Sequence, residues 1–431
     1  MRVLKIAPAK SFSLEFLDIA SDKSISHRCA IFALLSKSVC EVRNYLLGED
    51  TLHSLEIAKA LGLGVREQAR GHFVFTPPRQ LQEPHDVLDC GNAGTAMRLY
   101  TGLLAGARGY FVLSGDRYLN ARPMKRIIAP LQEIGASIYA REQNSLAPIS
   151  IIGSQLQGFH YKSPISSAQV KSAMILAGIY ADGTCYFSEP SLSRDHTERM
   201  LESMGMSFQK TECGIHFDPL PRDKRLESFS ITVPSDPSSA FYFAVAACVV
   251  GGEVLLKNVL LNPTRIQAFK ILESMGAKIT YHHRSSQYED IGDIEVKGSR
   301  LKGVCVSEDI SWLIDEIPAL SIAFAIAEGR SEVRNAKELR VKESDRIACV
   351  VEGLRAFGIE CDEFEDGFSV QGGSLKMGCV DSHGDHRIAM SFAIASLACG
   401  GEIKDSECID VSFPNFLKLL STITTLDSQT I

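Results

Sequence analysis

The sequence predicts an α/β protein of two domains in which the helices lie inside and the sheets outside. A unit of two helices with intervening strands recurs six times along the 431 residues, at intervals of about 70 residues. One helix of each unit is apolar on nearly every face, as in AFYFAVAACVVGG from Ala240, and such a helix is expected to be buried. This arrangement inverts the usual α/β barrel.

Each unit begins with a short polar segment that opens a buried helix. These openers are SDKSISHR from Ser21, CGNAGTAMR from Cys90, SSAQVKSA from Ser166, SDPSSAFYF from Ser235, IDEIPALSI from Ile314 and GDHRIAMSF from Gly384. Second helices are predicted in GEDTLHSLEIAKALG from Gly48, RPMKRIIAPLQEIGA from Arg122, RDHTERMLESMG from Arg194, NPTRIQAFKILESMGA from Asn262, KESDRIACVVEGLRAFG from Lys342 and FPNFLKLL from Phe413. Many helix N-termini are thus aimed at places where an anion could bind.

Strands are predicted between these helices, where Val, Ile, Phe and Tyr are concentrated. Examples are the segments that begin at His72, Gly109, Pro148, Gly252 and Gly367. Helix and strand in regular alternation indicate an α/β protein.

A chain of this length is too long for one ordinary core, so we divide it into two domains of three units each. A polar stretch with three prolines, LPRDKRLESFSITVPSDPSS, separates the third unit from the fourth. The predicted domains are residues 21–235 and residues 1–20 plus 236–431. Two short crossings favour a hinge, with the active site in the cleft between the domains.

Composition excludes several classes of protein. The formal net charge of −7 argues against broad nucleic-acid binding. No apolar run reaches the ~18 residues that a membrane helix needs, and the N-terminus lacks a signal-peptide pattern. The twelve cysteines are scattered and include no CxxC pair. We therefore expect a cytoplasmic protein with reduced thiols and no metal site.

The first opener places Lys23, Ser24 and Arg28 at the start of a helix. Ser24 is predicted to cap that helix, and Arg28 lies about one turn further along. Hydroxyl, ammonium, guanidinium and helix dipole would then converge on one phosphate. A capping segment without a ligand is the alternative interpretation.

The segment KESDR predicts a mixed cluster of charges. Lys342 and Arg346 are spaced to share one helix face, and Glu343 lies beside them. A solvated, salt-bridged helix start is the alternative. In IDEIP, Asp315 and Glu316 precede a buried helix, where they act either as caps or as a base.

The segment GDHR precedes another buried helix. Asp385 is predicted to cap it, which leaves His386 and Arg387 to face a ligand, with a structural role for His386 as the alternative. In CGNAGTAMR, Gly94 permits close approach of the backbone to a ligand, or serves a tight turn. Arg122 and Arg194 open equivalent helices in successive units, so we expect them to face the same space.

Together these motifs closely resemble the 5-enolpyruvylshikimate-3-phosphate synthase family. The resemblance is carried, in order, by SDKSISHR, GNAGTAMR, NARPMK, SSAQVKSA, SRDHTE, NPTR, IDEIP, RVKESDR and GDHRIAM. It implies a two-domain inside-out α/β barrel built from six βαβαββ repeats. It also implies transfer of the enolpyruvyl group of phosphoenolpyruvate to shikimate 3-phosphate, with release of phosphate, as a step of aromatic amino acid biosynthesis.

The resemblance assigns roles residue by residue. Shikimate 3-phosphate would be bound by Lys23, Ser24, Arg28, Ser166, Ser167, Gln169, Arg194, Asp315 and Lys342. Phosphoenolpyruvate would be bound by Lys23, Gly94, Arg122, Gln169, Arg346, His386 and Arg387. The catalytic residues would be Asp315, Glu343 and Lys23. Independently, two substrates that both carry negative charges require such a cage of cations.

Some features depart from the family pattern or leave questions open. Val411 stands where many relatives have a lysine before the FP motif. SAQVK, RDHTE and NPTR resemble the branch associated with glyphosate tolerance, whereas Gly94 resembles sensitive enzymes, so glyphosate inhibition is left open. The resemblance implies a monomer and a reaction that needs no cofactor.

Two other functions fit parts of the sequence. A transferase that acts on UDP-N-acetylglucosamine shares the fold, but the stretch GDRYLNARPMK lacks the loop cysteine of that relative. A non-catalytic anion-binding or RNA-end-binding protein is disfavoured by the net charge and by the two carboxylates Asp315 and Glu343.

Overall fold

The computed structural model describes residues 2–212, 214–221, 223–286 and 288–430. The chain forms two compact units. The continuous unit is Ser21–Val233, and the split unit combines Met1–Ala20 with Pro234–Ile431. The second crossing therefore falls after Val233, whereas the sequence placed it after Ser235.

The helices of the described residues are numbered in chain order. They are α1 (Lys23–Ala33), α2 (Glu49–Ala60), α3 (Gly94–Ala105), α4 (Lys125–Glu133), α5 (Arg141–Asn144), α6 (Ala168–Gly178), α7 (His196–Ser203), α8 (Pro237–Val250), α9 (Gln267–Ser274), α10 (Ile310–Leu313), α11 (Ile317–Ala325), α12 (Arg346–Ala356), α13 (His386–Cys399) and α14 (Phe416–Leu420). Short 3₁₀ helices span Leu119–Ala121, Lys337–Val341 and Ser406–Val411.

The strands are numbered in the same way. The first twelve are β1 (Arg2–Ile6), β2 (Ser13–Phe16), β3 (Cys40–Arg43), β4 (Gly64–Ala69), β5 (His72–Thr76), β6 (Leu88–Asp89), β7 (Tyr110–Ser114), β8 (Ser137–Ala140), β9 (Leu146–Ile152), β10 (His160–Lys162), β11 (Cys185–Ser188) and β12 (Gln209–Lys210). The others are β13 (Gly214–Phe217), β14 (Ser230–Thr232), β15 (Glu253–Leu260), β16 (Lys278–Ser286), β17 (Asp290–Lys297), β18 (Cys305–Val306), β19 (Arg330–Val333), β20 (Cys361–Phe364), β21 (Gly367–Gln371), β22 (Gly378–Asp381), β23 (Gly401–Lys404) and β24 (Leu426–Thr430).

Within the described residues these strands form six four-stranded sheets of one design. The orders are β14-β3-β5-β4, β6-β7-β9-β8 and β10-β11-β13-β12 in the continuous unit, and β2-β15-β17-β16, β18-β19-β21-β20 and β22-β23-β1-β24 in the split unit. In every sheet the first pair is parallel and the other two pairs are antiparallel. The repeated unit predicted from the sequence is therefore confirmed.

The N-terminal residues belong to two sheets of the split unit. In β1, Leu4 pairs with Ile403 of β23, and in β2, Phe16 pairs with Leu256 of β15. The chain returns to this unit only after Val233, so both sheets combine residues that are far apart in sequence.

The core of each unit is helical. Helices α1, α3 and α6 of the continuous unit, and α8, α11 and α13 of the split unit, are buried along almost their whole length. The close packing of α3 on α6 requires Gly102, because a Cβ there would lie 2.3 Å from the carbonyl oxygen of Ala173. The prediction that helices lie inside and sheets outside is confirmed.

Two expectations from composition concern membranes and thiols. None of the helices in the described residues is long and apolar enough to cross a membrane. The cysteines of the same residues are all free thiols, and most are buried.

Candidate functional site

The N-termini of α1, α3 and α6 carry several of the predicted site residues of the continuous unit. Asp22 caps α1, because its side chain accepts a hydrogen bond of 2.8 Å from the backbone N–H of Ile25. The predicted cap, Ser24, is instead the second residue of the helix, so that prediction was wrong. An aspartate just before the helix competes better for the free amides than a serine inside it.

Lys23 forms an ion pair with Asp50, which lies in the first turn of α2. The Asp50 side chain is buried, whereas that of Lys23 remains 19% exposed. The ammonium is therefore held at the rim of the unit by a carboxylate behind it. Asp50 was not among the predicted site residues.

Arg28 is buried and its guanidinium is fixed from three sides. Nε donates to Thr197 Oγ1 at 2.8 Å, Nη2 donates to Ser172 Oγ at 3.0 Å, and Nη1 donates to the Ser24 carbonyl at 3.0 Å. Ser172 Oγ and Thr197 Oγ1 are themselves hydrogen-bonded at 2.7 Å. Three helices, α1, α6 and α7, thus determine the orientation of one cation. Arg194 lies half-buried two residues before α7.

Gln169, at the start of α6, is fixed by α3. Its Oε1 accepts a hydrogen bond from Arg98, and its Nε2 donates to Thr95 Oγ1 at 3.0 Å. Arg98 also donates to the Pro123 carbonyl at 3.4 Å. The amide orientation of Gln169 is therefore set by groups on the neighbouring helix.

Gly94 is the first residue of α3 and lies against Arg122. A Cβ at position 94 would be 3.0 Å from Arg122 Nη1 and 3.2 Å from Cζ. Glycine at position 94 therefore lets the Arg122 guanidinium lie close to the backbone. The turn before it is made by Gly91, whose φ is +52°. Arg122 is buried just after the 3₁₀ helix Leu119–Ala121.

Ser166 and Ser167 precede α6, and Ser167 contacts a buried ionic network. Ser166 Oγ lies 2.8 Å from Ser191 Oγ, and the Ser167 N–H donates to Glu189 at 3.1 Å. Lys171 joins Glu189 and Glu198 at 3.1 and 2.8 Å. Burial alone would lower the pKa of Lys171, but the two glutamates outweigh it and raise that pKa.

In the split unit, three carboxylates surround the buried guanidinium of Arg346. Nε lies 2.9 Å from Asp385 Oδ2, Nη2 lies 2.6 Å from Glu343 Oε2, and Nη1 lies 3.3 Å from Asp315 Oδ1. Burial would lower the pKa of Arg346, but the negative charges of Asp385, Glu343 and Asp315 outweigh it and raise that pKa. One cation thus holds both predicted catalytic carboxylates.

The members of this cluster differ in exposure. The Asp385 side chain is fully buried, whereas Asp315 and Glu343 are 28% and 21% exposed. Asp385 caps α13 as predicted, by accepting from the Arg387 N–H at 2.8 Å. Asp385 is therefore a structural member of the cluster, while Asp315 and Glu343 are accessible to a ligand.

The prediction that Glu316 caps the following helix was wrong. Glu316 precedes α11 but makes no side-chain capping bond, and instead accepts a hydrogen bond from Ser238 Oγ. Proline at the start of α11 has no N–H to cap.

The spacing argument for Lys342 was also wrong. α12 begins only at Arg346, and Lys342 ends the 3₁₀ helix Lys337–Val341, where its Nζ pairs with Glu338 at 3.0 Å. Asp345 caps α12 by accepting from Ala348 N–H at 3.1 Å, which places the helix start after the segment KESD.

His386 and Arg387 form the first turn of α13, and both are buried. Burial would lower the pKa of Arg387, but Tyr242, Asp315, Asp236 and Glu316 raise it overall. Burial also raises the pKa of Tyr242 to about 12, so this phenol is neutral beside the guanidinium. The described residues contain no group of three or more His, Cys, Asp or Glu side chains placed to hold a metal ion.

Comparison with known proteins decides the family. A sequence model of the EPSP synthase (3-phosphoshikimate 1-carboxyvinyltransferase) family matches residues 15–420. The chain belongs to the EPSP synthase family. The resemblance carried by the motifs is thereby confirmed.

Individual EPSP synthase relatives are similar over their whole length. Proteins named 3-phosphoshikimate 1-carboxyvinyltransferase from Helicobacter hepaticus and Wolinella succinogenes are 64% and 58% identical, and the alignments cover 99% and 100% of each pair of chains. A solved EPSP synthase from Acinetobacter baumannii is 37% identical, with a TM-score of 0.88 over 100% of both chains.

In this EPSP synthase family member, several residues that orient the predicted site residues were not predicted from the motifs. Asp50, Arg98, Ser172 and Thr197 contact Lys23, Gln169 or Arg28. Arg98 and Ser172 lie in the quoted openers, and Asp50 follows a helix-opening glycine. These residues therefore lie in or near the motifs. Their contacts could not be predicted from local sequence, because Arg28 and Thr197, for example, are 169 positions apart.

Proposed function

We propose that this protein transfers the enolpyruvyl group of phosphoenolpyruvate to the 5-hydroxyl of shikimate 3-phosphate, releasing phosphate and forming 5-enolpyruvylshikimate 3-phosphate. The observation that carries the proposal is the placement of Asp315 and Glu343 on the single guanidinium of Arg346 in a member of this family. An anion-binding protein gains nothing from two accessible carboxylates beside its cations, whereas an addition–elimination reaction needs a base and an acid.

The predicted binding residues keep their roles in this proposal. Lys23, Ser24, Arg28, Ser166, Ser167, Gln169, Arg194, Asp315 and Lys342 bind shikimate 3-phosphate. Lys23, Gly94, Arg122, Gln169, Arg346, His386 and Arg387 bind phosphoenolpyruvate. The fixed orientations of Arg28 and Gln169 support this assignment, because preorganised donors lose little entropy when an anion binds.

The proposed reaction is an addition of the acceptor hydroxyl to phosphoenolpyruvate, followed by elimination of phosphate. The 5-oxygen bonds to C2 of phosphoenolpyruvate and gives its proton to Asp315, while C3 receives a proton from Glu343. The C2–O bond to phosphate then breaks, C3 returns a proton to Glu343 as the double bond re-forms, and the departing phosphate takes the proton held by Asp315. Lys23 is the alternative proton donor. Cations around the substrates stabilise the tetrahedral intermediate, and no cofactor is needed.

Arg346 links the two carboxylates to the donor substrate. Its guanidinium is buried and permanently charged, and it binds the carboxylate of phosphoenolpyruvate when that group takes the place of Glu343 or Asp315. That incoming carboxylate competes with the two side chains for the same N–H groups. Each side chain that is displaced becomes available to exchange a proton with the substrate.

We further propose that the active site is completed when the two units close around the substrates. The proposed residues are divided between the continuous unit and the split unit, so neither set is sufficient alone. Closure excludes water from the intermediate. Small-angle scattering should show a smaller radius of gyration with shikimate 3-phosphate, and an unchanged radius would contradict closure.

We also propose that the protein is a cytoplasmic monomer. Static light scattering of the purified chain tests the monomer, because a dimer would double the 47.1 kDa mass.

The activity is tested by measuring phosphate release from phosphoenolpyruvate with shikimate 3-phosphate or UDP-N-acetylglucosamine as acceptor. Release with shikimate 3-phosphate alone supports the proposal, and release with the nucleotide sugar alone supports the other transferase. Absence of release with both, while shikimate 3-phosphate still binds, would favour a non-catalytic anion-binding protein. Glyphosate added to the same assay shows whether it competes with phosphoenolpyruvate.

A further inference from the structure

A cavity of about 730 Å³ lies within the continuous unit, away from the proposed substrate residues. The cavity is lined by Leu34, Gly106 and Ile179, the residues that directly follow α1, α3 and α6. The predicted site residues lie at the opposite ends of these same helices. At 1.5 Å per residue, helices of 11 or 12 residues separate the two ends by roughly 17 Å.

The inner wall of the cavity is apolar. Leu34, Leu35, Ile179, Ala181 and Leu226 line it and are buried. An apolar wall favours contact with a hydrocarbon group over a strongly hydrated phosphate.

One side of the cavity is held rigid by Arg225. Its Nη2 donates to the Leu34 carbonyl and its Nη1 donates to the Pro78 carbonyl, both at 2.6 Å. Tyr180 lies in the same lining, and burial raises its pKa to about 12, so its phenol is neutral. Arg225 and Tyr180 thus provide a fixed polar edge next to the apolar wall.

Two other arginines in the lining have no structural role among the described residues. Arg79 and Arg108 are exposed, and neither forms an ion pair or a side-chain hydrogen bond with another described residue. They are also not required as donors to the carbonyls that follow the helices, because the Leu35 and Ile179 carbonyls accept hydrogen bonds from the backbone N–H groups of Leu226 and Leu220.

The charge of the lining is therefore positive. Asp223 and Lys224 are adjacent and cancel in sign, which leaves Arg79, Arg108 and Arg225 as the uncompensated charges. Guanidinium groups bind carboxylates through paired N–H donors.

We propose that this cavity is a second ligand site that binds a small organic carboxylate with a flat apolar ring. The ring lies against Leu34, Ile179 and Leu226, and the carboxylate is bound by Arg79 and Arg108 at the mouth. The site is separate from the proposed substrate residues, so it binds this anion when those residues are occupied.

The test is calorimetric titration of the full-length protein with 2-naphthoate in the presence of saturating phosphoenolpyruvate and shikimate 3-phosphate after turnover has reached equilibrium. Saturation excludes binding at the substrate residues. The neutral analogue 2-naphthamide is titrated in parallel. We expect 2-naphthoate to bind at least about tenfold more tightly than the amide, because only the acid pairs with the arginines.

The double variant Arg79→Gln, Arg108→Gln should weaken 2-naphthoate binding by about tenfold or more, whereas Arg70→Gln, at an exposed arginine outside the lining, should not. Both changes are at exposed side chains, and an unchanged melting temperature verifies the fold. Absence of binding to the unmodified protein would overturn the proposal. Equal binding of acid and amide, or binding unaffected by the double variant, would also overturn it.

Discussion

Arg346 and Asp385 form a two-point contact inside the split unit, with Nε 2.9 Å from Oδ2 and Nη2 3.5 Å from Oδ1. Their side chains are 1% and 0% exposed. Asp385 Oδ1 also accepts from the Arg387 N–H. One carboxylate therefore fixes the guanidinium and caps α13, so that Arg346 presents its remaining N–H groups to Glu343 and Asp315.

Replacing Asp385 with alanine should strongly destabilise the protein. The change removes a helix cap and leaves a buried guanidinium with one charge fewer around it, a loss of about 3–5 kcal/mol. Thermal unfolding should show a melting temperature lower by roughly 3–6 °C, because a chain of 431 residues unfolds with an entropy of about 0.9 kcal/mol/K. Asp385→Asn separates the two effects, because asparagine still caps.

Asp362→Ala is the matched control for this prediction. Asp362 pairs with Arg330 at 3.1 Å, but both side chains are more than half exposed. Its loss should change the melting temperature little. Equal effects of Asp385→Ala and Asp362→Ala would mean that Asp385 does not hold the cluster.

Gly94→Ala should weaken phosphoenolpyruvate binding. The new methyl group would press against the Arg122 guanidinium at 3.0 Å, and the guanidinium must move. We expect KM for phosphoenolpyruvate to rise about tenfold, with a smaller change in KM for shikimate 3-phosphate. Steady-state kinetics measure both.

Gly373→Ala controls for the loss of a glycine, since a Cβ there would meet its nearest atom at 3.8 Å. This variant should behave as the unmodified enzyme. An unchanged KM for phosphoenolpyruvate in Gly94→Ala would show that Arg122 does not contact this substrate.

Arg28→Lys should impair shikimate 3-phosphate binding although the charge is kept. A lysine cannot reproduce the planar fork that bonds Thr197 and Ser172 together. KM for shikimate 3-phosphate should rise about tenfold, while Arg70→Lys, at an exposed position, should have no effect. If Arg28→Lys raised only KM for phosphoenolpyruvate, the assignment of Arg28 would be wrong.

His27 should make the protein less stable in mild acid. Its Nδ1 lies 2.6 Å from Ser54 Oγ, and burial, followed by the charges of Lys23 and Arg28, lowers its pKa well below 6.5. Below pH 6.5, His27 binds a proton in the unfolded chain but stays neutral in the folded chain. Stability therefore falls as pH decreases, by up to about 1.4 kcal/mol per pH unit until the folded pKa is reached.

Melting temperatures of the unmodified protein and His27→Asn, measured between pH 7.5 and 5.5, test this prediction. The variant should lose less stability over the range, while His85→Asn, at an exposed histidine, should follow the unmodified protein. Parallel curves for the unmodified protein and His27→Asn would contradict the prediction.

The sequence was sufficient to predict the repeats, the buried helices and the family, because continuous apolar runs such as those of α8 and α13 and short polar motifs are local features of a sequence. The predicted helix starts were wrong where neighbouring residues compete to cap the helix. Asp22 caps α1 in place of Ser24, and Asp345 caps α12, so that this helix begins after Lys342. Partners across the fold, such as Asp50 for Lys23, were not predictable, because tertiary packing brings them together.

Asp315 and Glu343, held on Arg346, exchange protons with the substrates in the proposed reaction. The most direct test is the rate of phosphate release by Asp315→Asn and Glu343→Gln. Glu332→Gln is the control, because Glu332 lies in β19 and pairs with Arg334. We predict that kcat falls by at least about 10²-fold in the first two variants and is unchanged in the third. If Asp315→Asn and Glu343→Gln kept kcat within about threefold of the unmodified enzyme, these carboxylates would not be its acid and base.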